Sequence, residues 1–374
     1  MTNSLFTIVL TNYNNEQYIQ IALMSIFNQT YNNIQLIITD DSSENFDLEK
    51  IKKIIAKYKK KNIKSVKFVI NKKNIGTVKT LNKALKKVDG EYVLFFASDD
   101  KLADKNVVSH FVELFNKTGK NIITSQWKIC DENLNFKSNY IKKRSAKKYN
   151  KNINKQYFRL CQSNIYGSGS TCYRKIIFEK YGPFNEKYKY LEDWPFWLRM
   201  MKENETIYSE DFNGLFHRRG GVSQKEETNS LTKKFYHEML NTYEYEIIPN
   251  LSKFSILKKV KILRSFEFHI NNYSHKINTS TYKKQLSKYI KKNNILRYMW
   301  IIDKIRPHII EKIVILLKYN KIVPITAIIS LLIYILFINN ILVDKNLLLL
   351  SYILNYEIIY LLLVVTKTIL NIRK

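Results

Sequence analysis

The chain is poor in the residues that break or staple structure. Glycine occurs 9 times, proline 5 times and cysteine 3 times in 374 residues. So few breakers exclude a collagen-like or linker-rich organisation. Cys130, Cys161 and Cys172 show no Cys-x-x-Cys spacing, which excludes a disulfide framework and a zinc site and points to buried or incidental thiols in a reducing compartment. The opening MTNSLFTIVLTNYNN has no basic leader and only a short apolar run, so it reads as a first strand rather than a signal peptide, and the globular part is expected to stay in the cytoplasm. Acidic side chains are also scarce, 32 against 62 basic, for a net charge of +30.

Hydrophobic residues make up 45% and charged residues 25%, enough apolar content for a folded core. The last 62 residues hold six basic and two acidic side chains, so +26 of the charge lies in the first 312. Such a charge fits phosphorylated ligands and anionic inner-membrane lipids. Nucleic acid is not expected as a partner, because no recognition module or aromatic-basic sheet face is present.

The first 130 residues alternate between two periods. Leu5–Leu10, Ile34–Ile38, Val66–Ile70 and Tyr92–Phe96 are short apolar runs of the kind that become buried parallel strands. Between them Ile19, Ala22, Leu23, Ile26 and Phe27 share one helix face, 48–58 is helical, and Val78, Leu81, Leu85 and Val88 share another face. The resulting βαβαβαβ order predicts an α/β fold with a mainly parallel sheet between helices. Ligands of such sheets bind beyond the carboxyl ends of the strands. The residues there are Thr11-Asn12-Tyr13-Asn14, Asp40-Asp41-Ser42-Ser43 and Ser98-Asp99-Asp100.

Two acidic pairs at corresponding strand ends suit a nucleotide ligand. Carboxylates accept from ribose hydroxyls or a base N–H, and they ligate Mg²⁺ or Mn²⁺ that neutralises a diphosphate. For one pair alone, capping of the next helix is the simpler explanation. Downstream, Asp193 stands among Tyr190, Trp194, Phe196 and Trp197, where partial desolvation raises a carboxylate towards useful basicity. Its alternative role is the N-cap of a helix running PFWLRMM. Glu192 precedes it, and adjacent side chains do not share a face, so one of the two is expected to point at a ligand.

Three stretches carry a resemblance: FTIVLTNYNNEQYIQIALMSIFNQTYNNIQLIITDDSS, NIGTVKTLNKALKKVDGEYVLFFASDD and YGPFNEKYKYLEDWPFWLRM. In this order, over about residues 5–220, the chain resembles the family 2 inverting glycosyltransferases of bacterial surface-polysaccharide type, which have the GT-A fold. The resemblance implies nucleotide-base contacts from Thr11, Tyr13 and Asp41 with Asp40 beside them. It implies Asp99 at the ribose or sugar, Asp99 or Asp100 at a divalent metal, Mn²⁺ or Mg²⁺, and Asp193 as general base. Gly76 would serve a turn near the nucleotide. Arg218 and Arg219 would meet the donor diphosphate by charge-assisted hydrogen bonds, and His217 is a candidate metal ligand. The family's acidic motif often begins with another Asp where this chain has Ala97, which leaves fewer carboxylates for the metal. The implied reaction moves a sugar from a nucleotide sugar, a UDP-sugar by expectation, to a hydroxyl of a lipid-linked saccharide in capsule or O-antigen assembly. The alternatives are a polyprenyl-phosphate sugar synthase, which needs no base, and a scaffold without catalysis that binds membrane or sugar.

The expected organisation is a GT-A catalytic domain at 1–222, a basic helical membrane-surface region at 223–312 and a transmembrane helical hairpin at 313–374. The segment 322–343 has no charged residue and as a helix would span roughly 33 Å. The segment 346–366 is similar but holds Glu357. Lysines flank both sides of the pair, which places both ends, and the enzyme, at the cytoplasmic face of the inner membrane.

Overall fold

The computed structural model describes residues 4–139, 150–218, 230–294, 296, 297, 300 and 303. Four apolar runs become β1 (Phe6–Asn12), β2 (Ile34–Asp40), β3 (Ile63–Ile70) and β4 (Tyr92–Ala97). Helices α1 (Glu16–Phe27), α2 (Leu48–Tyr58) and α3 (Thr77–Leu85) connect them. There follow β5 (Lys101–Leu102), α4 (Val107–Thr118), β6 (Ile122–Cys130), β7 (Phe136–Asn139), α5 (Ile153–Leu160), β8 (Thr171–Arg174), α6 (Ile176–Tyr181), α7 (Asp193–Lys202) and β9 (Tyr208–Arg218). Helices α8 (Ser230–Thr242), α9 (Ile256–Tyr273) and α10 (Ser280–Lys291) come last among the described helices.

The strands form one mixed sheet in the order β3-β2-β1-β4-β8-β6-β9-β5, with β7 on β6. The ladders among β1 to β4 are parallel, as is β6 with β9, whereas β8 runs antiparallel to both β4 and β6. This is the α/β GT-A-like arrangement, more mixed than the sequence pattern implied. Every residue of β2 is buried, as a central strand covered on both faces requires. Ile8, Leu10, Leu36, Ile38, Leu94 and Phe96 form the centre of the core with Phe27, Phe111 and Phe115.

Register matters for the site. Thr11 lies opposite both Thr39 and Ala97, and Asn12 lies opposite Asp40, so the ends of β1, β2 and β4 finish level. The Asn12 amide donates to Asp40 Oδ1 at 2.9 Å, and its carbonyl accepts from Ser98 Oγ at 2.7 Å. One buried asparagine thus ties three strand ends together.

The chain divides into two compact units. The first comprises 1–254 with 261–283, and the second 255–260 with 284–374. Within the second, Val260, Leu286, Ile290, Leu296 and Trp300 are buried. The expected hairpin at 313–374 lies outside the described residues. Among the described residues no helix is long and apolar enough to cross a membrane. The longest described helix, α9, has 18 residues and carries Lys258, Lys259, Lys261, Arg264 and Glu267. The assignment to an inner-membrane face is corrected on that finding.

Candidate active site

A cavity of 660 Å³ opens at the carboxyl ends of β1, β2 and β4, in the size range of small-molecule sites. Thr11, Tyr13, Asp41, Asp99, Asp100, Asp193 and His217 all line it. These residues come from strand ends, the start of α7 and the end of β9, so the topology gathers side chains that span over two hundred positions of sequence. Asp40, Gly76 and Arg218 are not on the cavity wall, and Arg219 lies outside the described residues.

The two residues of the first acidic pair do different things. Asp40 faces inward, accepting from the Asn12 amide, the Ser43 hydroxyl at 2.5 Å and the Ser43 N–H at 2.9 Å. It braces the turn after β2. Asp41 turns to the loop before α3, accepting the N–H of Ile75 at 2.9 Å and of Gly76 at 2.7 Å, and the Asn71 amide at 3.0 Å. Its Oδ2 takes one of these bonds and so keeps acceptor capacity towards the cavity. Gly76 adopts φ 93, a region that disfavours side chains. A Cβ there would stand 2.2 Å from Lys189 Cγ. Glycine is needed because two chain segments cross in contact.

The second acidic pair is buried and crowded. Asp99 is pushed up to about 6, first by burial and then by the charge of Asp100. Asp100 Oδ1 accepts the Arg218 N–H at 3.1 Å and lies 3.0 Å from His217 Nδ1. Burial alone would lower the His217 pKa, but the Asp100 carboxylate outweighs it and the net shift is upward. Arg218 is 2% exposed, its guanidinium 4.1 Å from the Tyr18 ring centroid, with Nε donating to the Asp99 carbonyl at 2.9 Å. It supports the acidic pair from behind. Among the described residues no three His, Cys, Asp or Glu side chains close around an ion. Asp99 and Asp100 offer oxygen donors of the kind a hard divalent cation takes, and the rest of its shell would have to come from phosphate oxygens and water.

Asp193 occupies the first position of α7 and is 7% exposed. Its carboxylate accepts from the Asn164 amide at 3.2 and 3.3 Å and from the Trp194 N–H at 2.5 Å. Burial pushes it up to about 8, and the adjacent Glu192 charge adds to the rise. Glu192 is itself raised by burial, with Ser168 bonding to it in opposition. The aromatic setting is real: Trp194 and Trp197 are fully buried, with indole N–H groups on the Leu160 carbonyl and the Tyr173 hydroxyl, both at 2.9 Å.

The remaining wall was not legible as a site. Ser168, Gly169 and Trp127 contribute, as do Leu231, Phe235 and Met239 of α8 and His269 and Tyr273 of α9. Asn164 carried no signal of its own. For α8 the signal was available: residues 231, 235 and 239 recur at helical spacing on one face.

With this geometry the likeness to known proteins takes on meaning. Residues 7–182 match the model of glycosyl transferase family 2. An uncharacterized glycosyltransferase of Rickettsia conorii is 28% identical over 245 residues, 63% of this chain and 39% of that protein. The crystal structure of S. aureus TarS 1–349 superposes with TM-score 0.50 at 20% identity, covering 72% of this chain and 74% of the other. The mannosyltransferase PcManGT from Pyrobaculum calidifontis, in complex with GDP-Man and Mn²⁺, does so with TM-score 0.50 at 10% identity, covering 80% and 84%. At these identities the two structures speak to the fold. The chain spans 38% to 65% of the length of the first curated relatives it matches. Fold and site define an α/β protein of GT-A-like class. More particularly, residues 7–182 are similar to glycosyl transferase family 2.

Proposed function

We propose that the chain is an inverting glycosyltransferase that moves a sugar from a nucleoside diphosphate sugar to an acceptor hydroxyl. The observation that carries this is one cavity holding both a buried carboxylate of raised pKa, Asp193, and the acidic pair Asp99 and Asp100 at the strand ends. A nucleotide-sugar transferase needs these two functions, a base for the acceptor and a negatively charged cradle for the donor's cationic partner, within reach of one substrate.

In this reading Thr11, Tyr13 and the free capacity of Asp41 hold the base, and Asp99 meets the ribose or the sugar. Asp100 and Asp99, with His217, would hold Mn²⁺ or Mg²⁺, which supplies positive charge against the leaving diphosphate. Asp193 takes the proton of the acceptor hydroxyl as its oxygen bonds to the anomeric carbon. The bond from that carbon to the diphosphate oxygen breaks on the opposite face, which inverts the configuration. A carboxylate raised in pKa is a stronger base than an ordinary aspartate, and Asn164 holds it in place. The reach of Asp193 into the cavity favours a hydroxyl acceptor over a phosphate, which needs no base. A UDP-sugar as donor, and a lipid-linked saccharide of capsule or O-antigen type as acceptor, belong to the same proposal.

Calorimetric titration with UDP- and GDP-sugars in the presence of Mn²⁺ tests the donor half. Saturable binding that is lost in Asp99→Ala/Asp100→Ala is expected. Equal affinity in both proteins would remove the acidic pair from the donor site.

A further inference from the structure

Helix α8 sends one carboxylate into the segment that leads to Asp193. Glu238 Oε1 accepts the N–H of Lys189 at 2.7 Å, and Oε2 accepts the N–H groups of Tyr190 and Leu191, each at 2.9 Å. Three consecutive backbone donors converging on one point form a concavity suited to an anion. Here the chain fills it with its own side chain. This is not a helix cap, since α7 begins only at Asp193.

The segment so held touches both sides of the cavity. Lys189 accepts the Val78 N–H on its carbonyl at 3.1 Å and packs against Gly76, whose N–H is held by Asp41. Tyr190 and Leu191 line the cavity next to Asp193, and so do Phe235 and Met239 of the same helix α8 that carries Glu238. Without Glu238, three neighbouring N–H groups would need other partners, and the segment would lose its single conformation.

We propose that Glu238 is a positioning residue that fixes the segment 189–191, and through it sets the place of Asp193 in the cavity. The proposal rests on the reading of Asp193 as base for its meaning, but its test does not need turnover. Full-length parent, Glu238→Gln, Glu238→Asp and Glu238→Ala proteins would be compared by amide hydrogen exchange at 189–191. The titration of Asp193 would be followed in the same proteins by carboxyl ¹³C NMR after selective aspartate labelling. In Glu238→Gln, whose shape is unchanged, exchange at the three amides should quicken by about 10-fold or more, as expected for loss of a hydrogen bond to a charged group. The Asp193 midpoint should fall towards that of an ordinary aspartate as the segment loosens and water enters. Glu238→Asp, which keeps the charge, should restore part of both. Parental exchange rates in Glu238→Gln would overturn the proposal, and so would faster exchange with an unmoved Asp193 midpoint, since Glu238 would then serve the loop alone. Failure of sugar transfer in the parent would overturn the functional reading and leave these two measurements standing.

Discussion

Replacing Asp193 by Asn should stabilise the protein, and only above mildly acidic pH. The folded state holds this carboxyl at about 8 against 3.8 for the ordinary side chain, because burial penalises its charge. The sign follows from linkage. Below about pH 4 the group is neutral in folded and unfolded chains alike, and nothing is gained by removing it. Between about 4 and 8 the unfolded chain ionises and the folded chain resists, so the parent loses stability steadily. Above about 8 both are ionised and the penalty is constant. Four units correspond to a ceiling on the order of 6 kcal/mol. Asparagine turns one amide N–H of its own towards a site already supplied with donors by Asn164 and Trp194, which offsets roughly 1–3 kcal/mol. A net gain of about 3 kcal/mol should raise Tm by roughly 6–12 °C for a unit of this size. Thermal unfolding of parent and variant from pH 5 to 9 provides the assay. The difference should widen with pH and level off above about 8. A constant difference, or a less stable variant at pH 9, would refute the claim that burial raises the pKa of Asp193.

Asp99→Asn/Asp100→Asn should lose the Mn²⁺-dependent part of UDP binding by calorimetry while keeping the parental Tm or exceeding it, because burial and the neighbouring Asp100 charge oppose ionisation of Asp99. Unchanged UDP affinity with and without Mn²⁺ would place the cation elsewhere. Gly76→Ala should cost about 1–3 kcal/mol in urea unfolding, from positive φ and collision with Lys189. A variant as stable as the parent would mean that the two segments separate at no cost.

The half of the fold made from local signals was readable in advance. Ile34–Ile38 and Tyr92–Phe96 grew by only one or two residues into β2 and β4, and the helical segment 48–58 is α2 itself. Short apolar runs and one-sided helices encode themselves. β8 did not, since Thr171–Arg174 is four residues long and becomes a strand only by pairing with β4 and β6. The same distinction separates the site residues. Asp99, Asp100 and Asp193 stand at strand and helix ends, where the chain order points to them. Asp40 and Asp41 looked alike in sequence, but the pleat turns one inward to Asn12 and the other to the loop at Gly76. Glu238 and Asn164 gain their significance from contacts across 47 and 29 positions of sequence, and no local pattern records those. The uncharged run 322–343 lies outside the described residues, and among those no helix is long and apolar enough to cross a membrane.

The most direct measurement puts parent and Asp193→Asn side by side with a panel of nucleoside diphosphate sugars and Mn²⁺, recording both dissociation constant and rate of nucleoside diphosphate release. One donor should bind both proteins with nearly the same Kd, while release in the variant falls by about 10²-fold or more, the contribution of a general base. Release at the parental rate, or a panel in which no donor binds the parent, would contradict the assignment of this cavity as the site of sugar transfer.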